Sequence, residues 1–173
     1  MTGILYCLMR YPDYQKRLQD EFDEAKDSNN KVDVQDLTKL LLFNEIINET
    51  LRLHYAGPSG FPRITPPEGI RVSFSAVFWD ERNFKHLDEF ILERWYSRRN
   101  LIYHPEVFVP FLMGVYNCVG KNTALMQIRW TMYSLFSRFE AWPLNKDQLQ
   151  QYWAKRADGF NIGLGLLWTI FKE

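Results

Sequence analysis

The sequence predicts an α+β protein that is mostly helical, with a small amount of β-strand. Apolar residues recur at helical spacing in three parts of the chain, within residues 2–24, 36–54 and 121–139. Residues 71–78 instead alternate apolar and polar side chains, which is typical of a half-buried strand. The C-terminal segment from Gly159 onward is also strand-like, with glycines at bends.

The sequence pattern of the N-terminal region predicts two helices followed by a loop. Residues 2–11 read as a short helix, and Pro12 suits the first turn of a second one because its missing N–H costs nothing there. Leu18 and Phe22 give the second helix an apolar face among many charges. The polar run AKDSNNKVD, residues 25–33, is best interpreted as a surface loop.

A third helix is predicted from an N-cap at Asp36 to about His54. Its apolar stripe comprises Leu37, Leu40, Leu41, Ile47 and Leu51. The following stretch, AGPSGFPRITPPEG, contains four prolines and three glycines, which exclude a helix. Residues 86–110 are predicted to be irregular, with one helical turn near LDEFILERW.

A last helix is predicted over about 121–139. One face of it carries Ala124, Leu125, Ile128, Met132, Leu135, Phe136 and Phe139.

Composition excludes several classes of protein. The chain has 173 residues, with 21 basic side chains balancing 21 acidic ones, so no basic face for nucleic acid is expected. The two cysteines fit a reducing, intracellular compartment and do not form a disulfide framework. No apolar run approaches the roughly 20 residues that span a bilayer. The N-terminus does not have the pattern of a signal peptide.

Cys118 lies in the loop 111–120, FLMGVYNCVG, directly before the last helix. The first N–H groups of a helix lack partners within it, and the helix dipole favours negative charge at that end. Both effects favour a thiolate, a strong ligand for haem iron. The spacing alone also fits a buried structural cysteine, the commonest state of a free cysteine. A nucleophile fits less well, since the three histidines lie far away in sequence.

The loop becomes informative when it is considered together with two other motifs. Phe111, Gly114, Cys118 and Gly120 have the spacing of the cysteine loop of the cytochrome P-450 haem-thiolate family, which this chain resembles. The next ten residues, KNTALMQIRW, resemble the helix that follows that loop in the family. The segment YNCVGKNTAL is most similar to the corresponding segment in members of the family from filamentous fungi.

The other two motifs lie upstream, in the order that the family has. ETLRL holds Glu49 and Arg52 at the positions of the glutamate–arginine helix motif, and ERW holds Arg94 at the position of the arginine motif. The resemblance implies that these three side chains form a structural salt-bridge set. It covers essentially the whole chain, and it implies the proximal-haem, C-terminal part of the cytochrome P-450 fold.

The resemblance also implies a cofactor, haem b, with Cys118 as the axial thiolate ligand of its iron. Phe111 would pack near the thiolate, and Arg63 would reach a haem propionate; a core phenylalanine and a surface arginine are the simpler alternatives. Tyr116 stands where the family usually has an arginine that pairs with a propionate, and a phenol offers a hydrogen bond without charge. No residue of this chain is assigned a catalytic role.

Two further segments border the substrate pocket by resemblance, residues 59–61 and the turn near Phe160, although plain loop and core fit them equally. Cys7 lies on an apolar face and is expected in the core.

Compared with the family, residues 1–173 are expected to form a truncated domain. The N-terminal part, the distal helix and the membrane anchor have no counterpart in the sequence, and a hairpin after TPPEGI is missing. The resemblance implies that full-length relatives are anchored to the endoplasmic reticulum membrane, and no anchor is expected in this chain.

The function implied is that of a haem monooxygenase, which inserts one oxygen atom from O2 into a small organic substrate with electrons from a nicotinamide-dependent reductase. The isolated chain is expected to be inactive. The alternative is a non-catalytic helical remnant or interaction module without stable haem.

Overall fold

The structure is a computed structural model that describes residues 1–55, 73–155 and 165–173. The helices are α1 (Thr2–Arg10), α2 (Pro12–Glu24), α3 (Leu41–Leu53), α4 (Phe74–Phe78), α5 (Lys121–Phe136) and α6 (Lys146–Ala154). The strands are β1 (Glu140–Pro143) and β2 (Thr169–Lys172). Short 3-10 turns cover Asp36–Thr38, Leu92–Trp95, Arg99–Leu101, Pro105–Val107 and Gly114–Tyr116. The predicted class, mostly helical with little strand, is confirmed.

The core lies where α1 is enclosed by α2, α3 and β1. Most of α1 is buried, including Ile4 and Leu8. Pro12 occupies the first turn of α2, as predicted. Leu18 and Phe22 are the apolar face of α2, and both are fully buried. The predicted face of α5 also packs here, with its side chains most deeply buried at Met132 and Phe136.

The prediction of one helix from Asp36 to His54 is wrong at its start. Asp36 begins a 3-10 turn instead, and Leu40 is extended, with φ −67° and ψ 119°, so that α3 begins at Leu41. The acceptor for the first turn comes from α2. Glu21 accepts the N–H of Leu42 on Oε1 at 2.8 Å and the N–H of Phe43 on Oε2 at 2.9 Å. A carboxylate at this end also complements the positive end of the helix dipole.

The prediction of a strand over 71–78 is also wrong. Residues 71 and 72 lie outside the described residues, and Phe74–Phe78 is a short helix. Ser73 starts it, because its Oγ accepts the N–H of Ala76 at 3.2 Å. Phe78 is fully buried, with its ring 5.5 Å from that of Phe108. Period-two alternation over so few residues also fits one turn of helix with a single buried side, and tertiary packing decides between them.

The irregular conformation predicted for 86–110 is confirmed, with the helical turn at Leu92–Trp95. The last helix is shorter than predicted, since α5 ends at Phe136. The strand-like C-terminus is confirmed at β2, which pairs antiparallel with β1, Trp142 lying opposite Ile170. Neither β1 nor α6 was predicted.

The C-terminal ribbon is attached to α2 by two glutamine side-chain amides. Gln15 of α2 is 3% exposed, and its Oε1 accepts the N–H of Ala141 at 2.9 Å. Gln19 Nε2 donates to the carbonyl of Phe139 at 3.2 Å. These bonds join residues more than a hundred positions apart.

Within the described residues, none of the helices has the length and apolar character needed to cross a bilayer.

We expect Glu21→Ala to lower the free energy of unfolding by about 1–2 kcal/mol, because α3 loses the acceptor for two N–H groups of its first turn. Urea denaturation followed by circular dichroism measures this. Glu24→Ala is the matched control, since Glu24 is an exposed residue at the end of the same helix. Equal stability losses in the two variants would contradict the cap.

Candidate functional site

The loop 111–120 is folded back on itself by backbone bonds. The N–H of Cys118 donates to the carbonyl of Phe111 at 2.8 Å, and the N–H of Asn117 donates to that of Gly114 at 3.1 Å. Leu112 and Gly114 have φ of +62° and +70°. The value at Gly114 explains the glycine, since side chains rarely tolerate that region, and a leucine there marks a tightly bent backbone.

Cys118 is a free cysteine at the exposed side of this loop. Its carbonyl accepts the N–H of Lys121, the first residue of α5, at 3.2 Å. No side chain caps the N-terminus of α5 among the described residues. A Cβ built on Gly120 would lie 3.8 Å from the sulfur, which is an ordinary contact, so steric exclusion does not explain that glycine.

Apolar side chains protrude on both sides of the cysteine. Met113 is 70% exposed, and Val115 and Val119 are 92% and 102% exposed. We call these three residues, with Cys118, the apolar rim. Exposed apolar side chains clustered in one loop mark a binding surface more often than a solvated one. A flat apolar ligand with an atom that accepts a thiolate fits this donor set.

Phe111 is half-buried at the base of the loop. It lines a groove of about 490 Å³ between α3 and α5, together with Asn48 and Leu125. The helices on either side of this groove are joined where Arg129 Nη2 donates to Asn44 Oδ1 at 2.8 Å.

Several predicted residues cannot be placed around the loop. Arg63, residues 59–61 and Phe160 lie outside the described residues. For Tyr116, the structure describes the backbone in the turn Gly114–Tyr116.

The predicted salt-bridge residues are brought together in the core. Arg52 donates to both carboxylate oxygens of Glu49, from Nε to Oε2 at 3.1 Å and from Nη2 to Oε1 at 2.9 Å. Arg94 donates from Nε to Glu49 Oε1 at 3.0 Å. All three side chains are fully buried.

Both guanidinium groups also donate to backbone carbonyls of one loop. Arg52 donates to the carbonyls of Leu87 and Glu89 at 2.8 and 3.1 Å. Arg94 donates to those of Lys85 and His86 at 2.8 and 3.0 Å. Desolvation by burial lowers the pKa of Arg94, and the adjacent Glu49 carboxylate opposes that shift. A buried charge is tolerated when it is paired and hydrogen-bonded. Each guanidinium nitrogen of Arg52 and Arg94 has at least one acceptor here.

Sequence reasoning missed two partners of the Glu49 carboxylate. Trp95 donates its indole N–H to Oε2 at 2.9 Å, and the backbone N–H of Ile91 donates to Oε1 at 3.2 Å. Trp95 directly follows Arg94 in the sequence, and this adjacency was the signal from which its contact with Glu49 could have been predicted. The Trp95 ring lies 4.4 Å from that of Phe108, three residues before the cysteine loop. Trp95 therefore links the buried ion pairs to the segment that leads into the loop.

We expect Arg94→Ala to lower the free energy of unfolding by about 3–5 kcal/mol, because it leaves part of the Glu49 charge buried without its partner. Thermal and urea denaturation measure the loss. Arg82→Ala is the matched control, since Arg82 pairs with Asp80 on the surface and its removal should change stability far less. A loss at Arg94 no larger than that of the control would contradict the structure.

We expect iodoacetamide to alkylate Cys118 much faster than Cys7. Cys118 is exposed, whereas Cys7 is 2% exposed and burial raises the pKa of its thiol. Mass spectrometry of tryptic peptides at successive times measures the two rates in one sample. If both cysteines react equally slowly in the folded chain and become fast only in urea, the exposure of the loop is contradicted.

Comparisons with known proteins agree with these motifs. The family model described as Cytochrome P-450 matches residues 1–157. The chain is 41% identical to cytochrome P-450 monooxygenase phqL of Penicillium fellutanum over 187 aligned residues, covering 100% of this chain and 32% of that protein. It is 38% identical to tryprostatin B 6-hydroxylase of Aspergillus fumigatus, covering 91% of this chain and 31% of that protein.

The fold is similar to that of solved haem domains. The superposition on the crystal structure of the cytochrome P-450DA heme domain has a TM-score of 0.76 at 20% identity, covering 99% of this chain and 40% of that one. The chain thus spans about a third of the length of the curated relatives it matches. On the family model and the identity to these relatives, the chain belongs to the cytochrome P-450 family.

Proposed function

We propose that this chain is the haem-proximal part of a cytochrome P-450 monooxygenase, with Cys118 as the axial thiolate ligand of haem b. The observation that carries the proposal is the exposed, free thiol of Cys118, held by a folded loop before a helix whose N-terminus no described side chain caps. The relatives named as monooxygenases support the reaction class.

The residues of the loop fit this cofactor. Cys118 would hold the iron through Sγ, and the first N–H groups of α5 with the helix dipole would stabilise the negative charge on sulfur. Met113, Val115 and Val119 would pack on the apolar macrocycle and exclude water from the thiolate. Phe111 shields the thiolate from the side of the groove.

The propionates of haem b are assigned to Arg63 and Tyr116 by family resemblance. Arg63 supplies a charged bond, and Tyr116 supplies one neutral hydrogen bond, which contributes less than a charged one. Gly114 and Gly120 complete the loop. When bound, haem supplies the chemistry that activates O2, so that one oxygen atom enters a small organic substrate.

Glu49, Arg52 and Arg94 act as positioning residues in this proposal. They fix the loop 85–89 and Trp95, and through Phe108 they hold the start of the cysteine loop. Their effect on the cofactor is therefore indirect, through the position of Cys118.

The reaction class also implies partners. A nicotinamide-dependent reductase would supply the electrons, and we propose that the whole protein works inside the cell, at the endoplasmic reticulum membrane. We further propose that residues 1–173 form part of a larger domain and that the isolated chain lacks turnover. The coverage of 40% of a solved haem domain by 99% of this chain supports that division.

The test is a carbon-monoxide difference spectrum of the reduced chain after reconstitution with haem. We expect a strongly red-shifted Soret band, because thiolate ligation of haem iron shifts it, and we expect Cys118→Ala to abolish the shift. Cys7→Ala is the matched control, since it removes the other cysteine, which is buried.

A Soret band at the position of free or histidine-ligated haem, equal in wild type and Cys118→Ala, would contradict the proposal. It would favour the alternative of a non-catalytic helical module without stable haem. A shift lost in Cys7→Ala but kept in Cys118→Ala would also overturn the assignment of the ligand.

A further inference from the structure

A second cleft lies between α1, the C-terminal end of α3 and α6. Its volume is about 270 Å³, and it shares no residue with the cysteine loop 111–120. Typical ligand pockets measure about 300–1,000 Å³, so this cleft suits a molecule of one or two rings. Nothing in the function proposed above uses it.

The walls of this cleft are aromatic and form two groups. In one group, the ring of Tyr6 lies 5.5 Å from that of His54 and 5.9 Å from that of Trp153. In the other, the rings of Tyr11 and Phe90 are stacked at 5.4 Å. We call this site the aromatic cleft. Aromatic walls favour a flat ring, which can stack on one group and meet the other edge-on.

Two charged side chains of opposite sign stand in the lining. Arg10 comes from the last turn of α1, and Asp88 comes from the loop 84–91. Both are exposed, and in the part of the chain that the structure describes neither forms an ion pair. The Arg10 guanidinium lies 5.9 Å from the centre of the Tyr11 ring, so its charge is held over one wall of the cleft.

The pair of charges restricts the ligand. A cationic aromatic ligand would be attracted to Asp88 but repelled by Arg10. An anionic aromatic ligand would be attracted to Arg10 but repelled by Asp88. A molecule with both an ammonium and a carboxylate group satisfies both residues at once. We propose that the aromatic cleft binds a small aromatic zwitterion of the aromatic α-amino-acid class, with its ring between the aromatic walls, its carboxylate on Arg10 and its ammonium on Asp88.

The test compares three probes that share a phenyl ring. L-Phenylalanine carries both charges, 2-phenylethylamine carries the ammonium alone, and 3-phenylpropionate carries the carboxylate alone. Saturation-transfer NMR on the full 173-residue chain detects ring contact, and calorimetric titration gives the dissociation constants. We expect L-phenylalanine to bind about tenfold more tightly than either single-charge probe, the ratio typical of one charged hydrogen bond.

Variants at the exposed charges identify which residue binds which group. Asp88→Asn should weaken L-phenylalanine and 2-phenylethylamine about tenfold and leave 3-phenylpropionate unchanged or tighter. Arg10→Gln should weaken L-phenylalanine and 3-phenylpropionate about tenfold and leave 2-phenylethylamine unchanged or tighter. Asp20→Asn and Arg17→Gln are the matched controls, since both residues are exposed on α2, and Arg17 also lies over a tyrosine ring, that of Tyr14.

Circular dichroism of each variant ensures that the fold is retained, and the crossed pattern of probes cannot arise from partial unfolding, which weakens all three. Equal affinities of the three probes, or equal losses in the variants and their controls, would overturn the proposal. Absence of saturation transfer from the wild-type chain to any probe would overturn it as well.

Discussion

The Glu49 carboxylate is the group on which the rest of this structure depends. It lies out of contact with water and accepts bonds from two arginines, an indole and a backbone N–H. Neither guanidinium would be tolerable there without it, because two like charges would then be buried side by side. Since the loop from Lys85 to Glu89 has no helix or strand, its carbonyls find their donors in those same guanidiniums. One acidic side chain thus determines the path of a segment that has little regular structure of its own.

The cysteine loop is fixed at both ends and exposed in its middle. Before the loop, the Phe108 ring packs on Trp95, which is itself held by Glu49. After the loop, Cys118 leads directly into α5, whose Arg129 bonds to Asn44 of α3. Between these anchors, the side chains of Val115 and Val119 point into solvent. A ligand bound at the apolar rim would therefore meet a surface whose backbone is already ordered, and less entropy would be lost on binding.

Sequence reasoning succeeded where a local pattern and the tertiary structure agree. Pro12 at the start of α2 and the apolar face of α5 are examples, because periodicity and burial coincide there. It failed at the start of α3, where the cap is Glu21 from another helix, and at Phe74–Phe78, where a buried Phe78 favours helix over strand. The Glu49 set was foreseeable from motifs, but its bonds to Trp95 and to backbone carbonyls depend on loop geometry that no spacing reveals. Helix α6 had a usable signal that was missed, since Asn145 caps it by accepting the N–H of Gln148.

The buried amide of Gln15 has a consequence for the order in which this chain can fold during synthesis. Its partner, the N–H of Ala141, is translated 126 residues later. At roughly 5–20 residues per second, that interval is on the order of ten seconds. Throughout it, Gln15 of α2 lacks this partner, and the final packing of α1 and α2 must wait until the C-terminal ribbon emerges. The apolar surfaces of α1 and α2 that pack on this ribbon therefore stay exposed for longer than they would in a fold built from local contacts.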